Sequence, residues 1–149
     1  MGKRAEVGAA GFTLLELVIT LSVIALAVGL VGPAIGRSAD TVRGRAEVAG
    51  FSAFFRHARE QSIIRREPHR VVVEPGAHRL TMLAGENELR RTRVFSERLT
   101  VEPASVTQLT VRFEPEGTCT GGEYHLTSGR TTYRVTVDAV TGRVRSVRE

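Results

Sequence analysis

An α+β fold, in which a long N-terminal helix spans a membrane with its first half and packs its second half on an antiparallel β-sheet domain, is predicted by three features of this 149-residue chain. Residues 12–35 are largely apolar and carry one formal charge, Glu16. Residues 37–67 carry apolar side chains at helical spacing, and beyond Pro68 the spacing changes to period two with proline and glycine at the turns.

The first segment, at about 1.5 Å rise per residue, gives about 36 Å of helix against a hydrocarbon core of about 30 Å. A carboxylate inside it is expensive, so Glu16 is read as needing a functional partner. Gly32, Pro33 and Gly36 predict a helix break, a kink or short melted stretch, because proline removes a backbone donor and glycine adds backbone freedom. A cleaved secretory signal is the competing reading, with Ala34 and Gly36 as small residues near the cut. Its apolar core usually runs about 7–15 residues, shorter than the uncharged stretch from Leu17 to Gly36. Lys3 and Arg4 on one side and Arg37, Arg43 and Arg45 on the other leave the orientation unset by loop charge.

Helical periodicity then places Val42, Ala46, Ala49, Ala53, Phe54, Ala58 and Ile64 on one buried stripe, with Phe51, Phe54 and Phe55 supplying bulk. Arg43, Arg45, Glu47, Arg56, Arg59 and Glu60 populate the other side, and Pro68 ends the helix. Residues 70–74 and 78–83 flank Pro75-Gly76 as a hairpin. Leu109, Val111 and Phe113, and later Tyr133, Val135 and Val137, alternate with polar residues as strands buried on one face. Thr141-Gly142 turns the chain into a last strand over 143–147, and residues 116–123 read as a glycine-rich loop.

Residues 68–149 number 82, so small a domain that the preceding helix is expected to complete its core. Cys119 is the only cysteine, which excludes an internal disulfide and reads as a small, half-buried residue in a turn. The net charge is +5, and arginine supplies all the basic residues except Lys3. Such a balance permits contact with acidic surfaces or nucleic acid and identifies neither.

The stretch Gly11-Phe12-Thr13-Leu14-Leu15-Glu16, preceded by Lys3 and Arg4 and followed by Pro33, resembles the class III signal of type IV pilins and type II secretion pseudopilins. Cleavage glycine, aromatic, spaced glutamate and proline all agree in register. Farther on, Phe54-Phe55-Arg56-His57-Ala58-Arg59, Phe113-Glu114-Pro115-Glu116-Gly117, Gly121-Gly122 and Thr141-Gly142-Arg143-Val144-Arg145 resemble the H-type minor pseudopilins and the FimT-like minor pilins. The resemblance implies a type IV pilin-like fold with four parts. Residues 1–11 would be a leader peptide, 12–36 the transmembrane helix and assembly segment, 37–67 the periplasmic half of the helix, and 68–149 a periplasmic antiparallel β domain.

It further implies that a prepilin peptidase cuts between Gly11 and Phe12 and methylates the new amino group of Phe12, and that Glu16 then faces the amine of a neighbouring subunit. The implied protein is single-pass in the cell inner membrane. It is incorporated at or near the tip of the pseudopilus, with other minor and major pseudopilins, the inner-membrane secretion platform and secreted cargo as partners. The alternative within the same resemblance is a type IV pilus minor pilin that binds DNA for uptake. There Arg143, Arg145 and Arg148, with Arg130 and Arg134, would contact phosphates, although few aromatic residues are present to stack bases.

No enzyme, metal or cofactor is expected. His57, His69, His78 and His125 lack zinc-ligand spacing, and His57 reads as a contact with the sheet. No phosphate loop, nucleophile elbow or paired-cysteine motif occurs. Asp40 and Asp138 are the only aspartates, too few for an aspartate-rich calcium loop. The major pseudopilins carry a calcium-binding C-terminal loop, and its lack here fits the resemblance to a minor subunit.

Overall fold

The computed structural model describes residues 12–149, with side chains described outside 30–39. One helix, α1 (Leu14–Arg65), is followed by eight strands. These are β1 (His69–Glu74), β2 (Arg79–Ala84), β3 (Glu88–Val94), β4 (Leu99–Pro103), β5 (Thr110–Phe113), β6 (Gly122–Ser128), β7 (Thr131–Val137) and β8 (Val144–Arg148). The chain divides into two compact units, Met1–Ser38 and Ala39–Glu149.

Helix α1 runs without interruption through Pro33, where the sequence predicts a break. The kink expected there falls on residues 30–39, whose side chains lie outside those described. Among the described residues no helix is long and apolar enough to cross a membrane. Within the segment expected to span, side chains are described only as far as residue 29.

The buried stripe of the second half of α1 differs from the predicted one. Gly44, Val48, Phe51, Ser52, Phe54, Phe55, Ala58 and Ser62 are buried, whereas Val42, Ala46, Ala49, Ala53 and Ile64 are exposed. The phenylalanines set the rotation, because each removes far more apolar area from water than an alanine does. Once they face inward, small residues three or four positions away are carried onto the same face. A Cβ at Gly44 would fall 2.7 Å from Ser128 Oγ, so the helix lies close against the β6–β7 turn.

Two antiparallel four-stranded sheets complete the unit, in the orders β3-β2-β1-β5 and β4-β6-β7-β8. One hydrophobic core joins them to the helix. Phe51 and Phe55 each meet Tyr124 at ring-centroid distances of 5.4 Å, and Phe55 meets Phe113 at 6.5 Å. The Tyr124 hydroxyl donates to the Gln108 carbonyl at 2.6 Å, which satisfies the one polar atom of a fully buried ring. Ser62 is satisfied likewise, donating to the carbonyls of Arg59 and Glu114 at 2.7 and 3.2 Å.

The predicted hairpin is present as β1 and β2, paired from His69–Ala84 to Glu74–Arg79. His78 is not in the strand: it sits in a left-handed conformation with φ of 48° and donates its amide to the Pro75 carbonyl, closing a 3-10 turn. The last strand also starts one residue late. Asp138 Oδ1 accepts from the amides of Val140 and Thr141 and from the Thr141 hydroxyl, and Gly142 turns with φ of 61°. That turn consumes Arg143, whose carbonyl accepts from the Asp138 amide at 2.9 Å. Gly122 and Glu123, predicted as loop, begin β6. A Cβ at residue 122 would crowd Val111 and Tyr124 at 3.0–3.2 Å, so here glycine admits the neighbouring core residues rather than loosening the chain.

Candidate functional site

The start of α1 is fixed by Thr13. Its Oγ1 accepts the Glu16 amide at 3.2 Å and its carbonyl accepts the Leu17 amide at 3.1 Å, the bonds of an N-cap residue. Thr13-x-x-Glu16 has the spacing of a capping box, a signal by which the sequence could have singled out Thr13 beside Glu16. Glu16 in the first turn also lies favourably with respect to the helix dipole. The carboxylate therefore has a local role in starting the helix that is independent of any neighbour.

No cation among the described residues lies within ion-pair distance of Glu16. Around it Phe12, Leu14, Leu15, Leu17, Val18 and Ile19 are exposed on every side of the helix. Thr20 and Ser22, the next polar residues, return their hydroxyls to the carbonyls of Glu16 and Val18 at 2.6 and 2.8 Å. Such internal bonding suits an environment without water. What remains is one carboxylate on an apolar rod, competent to pair with a cation supplied from outside the chain. Lys3, Arg4 and Gly11 of the signal lie outside the described residues.

The C-terminal arginines do not form one cluster. Arg143 is in the turn, Arg145 pairs opposite Thr136 and Arg148 opposite Tyr133. Alternation along β8 puts Arg145 and Arg148 on opposite faces, and about five residues at 3.3 Å separate Arg143 from Arg148. Arg134 is committed elsewhere. It bonds the Glu149 carboxylate and lies 3.5 Å from Glu123, while His125 contacts both carboxylates at 3.8 and 3.6 Å. The Arg134 guanidinium holds the Glu149 carboxyl below its ordinary value.

Arg59 joins the separate motifs. Its Nε donates to the Gly117 carbonyl at 3.3 Å, and a Cβ at Gly142 would fall 2.8 Å from Arg59 Cδ and against the Gly117 carbonyl. The residues around Phe54–Arg59, Phe113–Gly117 and Thr141–Arg145 thus meet at one junction of helix and both sheets. Cys119 is half-buried there, donating to the Asp138 carbonyl at 3.2 Å and accepting from the Gly121 amide at 3.3 Å, and burial pushes its thiol pKa up. That environment suits a structural thiol, not a nucleophile. Among the described residues no three His, Cys, Asp or Glu side chains converge on a metal position.

Comparison with known proteins bears on the same region. The family described as Type II transport protein GspH matches residues 47–142, from the helix face that packs on the sheets to the Gly142 turn. The type II secretion system protein H of Xanthomonas campestris pv. campestris is 29% identical over 143 residues, covering 91% of this chain and 82% of that protein. The minor pseudopilin EpsH of the Vibrio cholerae type 2 secretion system superposes with a TM-score of 0.56 at 16% identity, over 71% of this chain and 97% of EpsH. The type IV minor pilin FimU of Pseudomonas aeruginosa gives 0.58 at 15% identity, over 68% and 85%. Both structures share the α+β pilin-like fold; with the match over residues 47–142, the chain belongs to the GspH family of type II transport proteins.

Proposed function

We propose that this chain is a minor pseudopilin, a structural subunit at or near the tip of the periplasmic pseudopilus of a type II secretion system, assisting export of folded proteins. Residues 12–36 anchor it in the inner membrane after a prepilin peptidase removes residues 1–11 and methylates Phe12. In the filament Glu16 pairs with the methylated amine of a neighbouring subunit. The single observation that carries this reading is a carboxylate without an ion-pair partner among the described residues, on the exposed apolar start of α1, in a chain of the GspH family.

The energetics favour ordered assembly. Two unit charges about 4 Å apart attract by about 4 kcal/mol at an effective dielectric of 20, and either charge left alone in lipid is worse off than paired. Glu16→Ala is expected to leave leader removal intact and weaken assembly, read as loss of partner pseudopilins from a pull-down out of solubilised membranes. Recovery of partners at the wild-type level contradicts the assembly role. Replacing Gly11 by a bulky residue is expected to block processing, since the peptidase must approach the backbone closely; mature protein of normal mass in that variant removes the cleavage assignment.

For the DNA-binding alternative, the exposure of Arg143, Arg145 and Arg148 is favourable, while their dispersal and the ion pairs of Arg134 count against a single phosphate track. A gel shift across a salt series separates the two. DNA uptake predicts binding that weakens steeply with salt and is lost on removing Arg143 and Arg145.

A further inference from the structure

The ends of the Ala39–Glu149 unit differ in charge. At the end where α1 enters it, Arg98 in the β3–β4 turn lies 3.6 Å from Asp40, and Arg43 shares that carboxylate at 4.0 Å. The β6–β7 turn, which carries Arg130, adjoins Gly44 through Ser128. Arg148 pairs opposite Tyr133, and the Glu149 amide donates to the Thr132 carbonyl, so the end of β8 lies beside the same turn. Arg45 follows Gly44 directly. Arg43, Arg45, Arg98, Arg130 and Arg148 are all exposed; among the described residues Asp40, Glu97 and Glu47 are the acidic side chains near them, Glu47 being paired with Arg93 and the Glu149 side chain with Arg134. At the far end, about 20 Å away along β6 and β7, Glu114, Glu116 and Asp138 stand against Arg112, Arg143, Arg145 and Arg59, whose Nε donates to the Gly117 carbonyl.

Chain length puts the basic end close to the membrane. Under the proposed anchoring, on which this inference rests, the apolar segment ends at Gly36, and Arg43 follows seven residues later. On a helix that is about 10 Å of rise, comparable with the Debye length of about 8 Å at physiological salt. We propose that the arginine-rich end, formed by Arg43, Arg45, Arg98, Arg130 and Arg148, docks on anionic phospholipid headgroups at the surface of the membrane that holds α1. Arginine suits this, because its donor fork matches phosphate oxygens. The contact orients the unit before assembly and must be released when the subunit leaves the bilayer.

The test uses the full chain in nanodiscs of phosphatidylcholine alone and of phosphatidylcholine with phosphatidylglycerol, read by hydrogen exchange. Phosphatidylglycerol is expected to slow exchange in peptides covering 96–99 and 128–132, with no effect over 138–145, and high salt is expected to remove the difference. Neutralising Arg98, Arg130 or Arg148 with glutamine is expected to lower the docked-to-free ratio about fivefold each. Arg143→Gln and Arg145→Gln serve as controls with no effect. Incorporation into nanodiscs without a lipid-dependent difference overturns this inference alone; failure to incorporate overturns the anchoring as well. Protection of the same peptides by a DNA duplex but not by phosphatidylglycerol also overturns it and transfers the surface to nucleic acid.

Discussion

The described N-terminal segment, Phe12 to Gly29, and the unit from Ala39 to Glu149 use apolar side chains in opposite ways. Phe12 and Leu14 are 79% and 81% exposed, whereas Phe55 and Phe113 are wholly buried. The second region has two sheets to close over its helix; the first has no partner among the described residues. A helix that is apolar all round cannot be satisfied by its own chain, and its stability must come from lipid or a bundle of neighbours. The same apolar side chains therefore build a core in one region and leave an exposed apolar surface in the other.

The largest expected effect sharpens that contrast. Phe55→Ala is expected to destabilise the unit by about 3–5 kcal/mol in urea unfolding followed by circular dichroism. Leu15→Ala, on the exposed segment, is expected to change the same transition by less than about 0.5 kcal/mol. Comparable losses from the two variants would break the distinction.

Glycine substitutions at two positive-φ turns come next. Gly142→Ala combines an unfavourable φ of 61° with contact against Gly117 and Arg59 and is expected to cost about 2–3 kcal/mol. Gly129→Ala has the same φ of 61° but nothing near its Cβ, and about 1 kcal/mol is expected. Equal destabilisation of the two would contradict the Arg59 junction as the cause.

Thr13→Ala is expected to cost the helix start about 1 kcal/mol, visible as faster exchange of the Glu16 amide, with the unfolding transition of the unit unmoved. The smallest effect is a pH dependence. Hydrogen bonding and charge from Arg134 lower the Glu149 pKa in the folded protein, so this contribution is present above the ordinary value of 4.5 and is lost as pH falls through the folded value. Exchange in β8 is expected to rise on acidification, and Arg134→Gln is expected to bring that rise to neutral pH. Unchanged β8 exchange in the variant would show that the network does not secure the strand.

The helix, the β1–β2 hairpin and strands β5, β7 and β8 were legible because each has a strong period or a turn signal. Strands β3, β4 and β6 were not, the last because its glycine-rich start reads as a loop. Glu88–Val94 carries three arginines and faces solvent along nearly its whole length, so it lacks the buried alternation that marks a strand. β4 is a five-residue strand at a sheet edge that ends on Pro103, too short to establish a pattern. The buried stripe of α1 departs from the apolar count because counting gives an alanine and a phenylalanine equal weight, whereas packing does not. For the candidate site, Glu16 stood out by being the one charge in its segment. The Arg59 junction did not, since residues 59, 117 and 142 meet only after the sheets have formed.

The most direct measurement is the intact mass of the protein extracted from the membranes of a bacterium that carries a prepilin peptidase. The account predicts a chain beginning at Phe12 and one methyl group heavier than the unmodified sequence from that residue. A chain that still begins at Met1, or begins anywhere other than Phe12, would contradict the reading of the apolar segment as a processed filament-assembly helix.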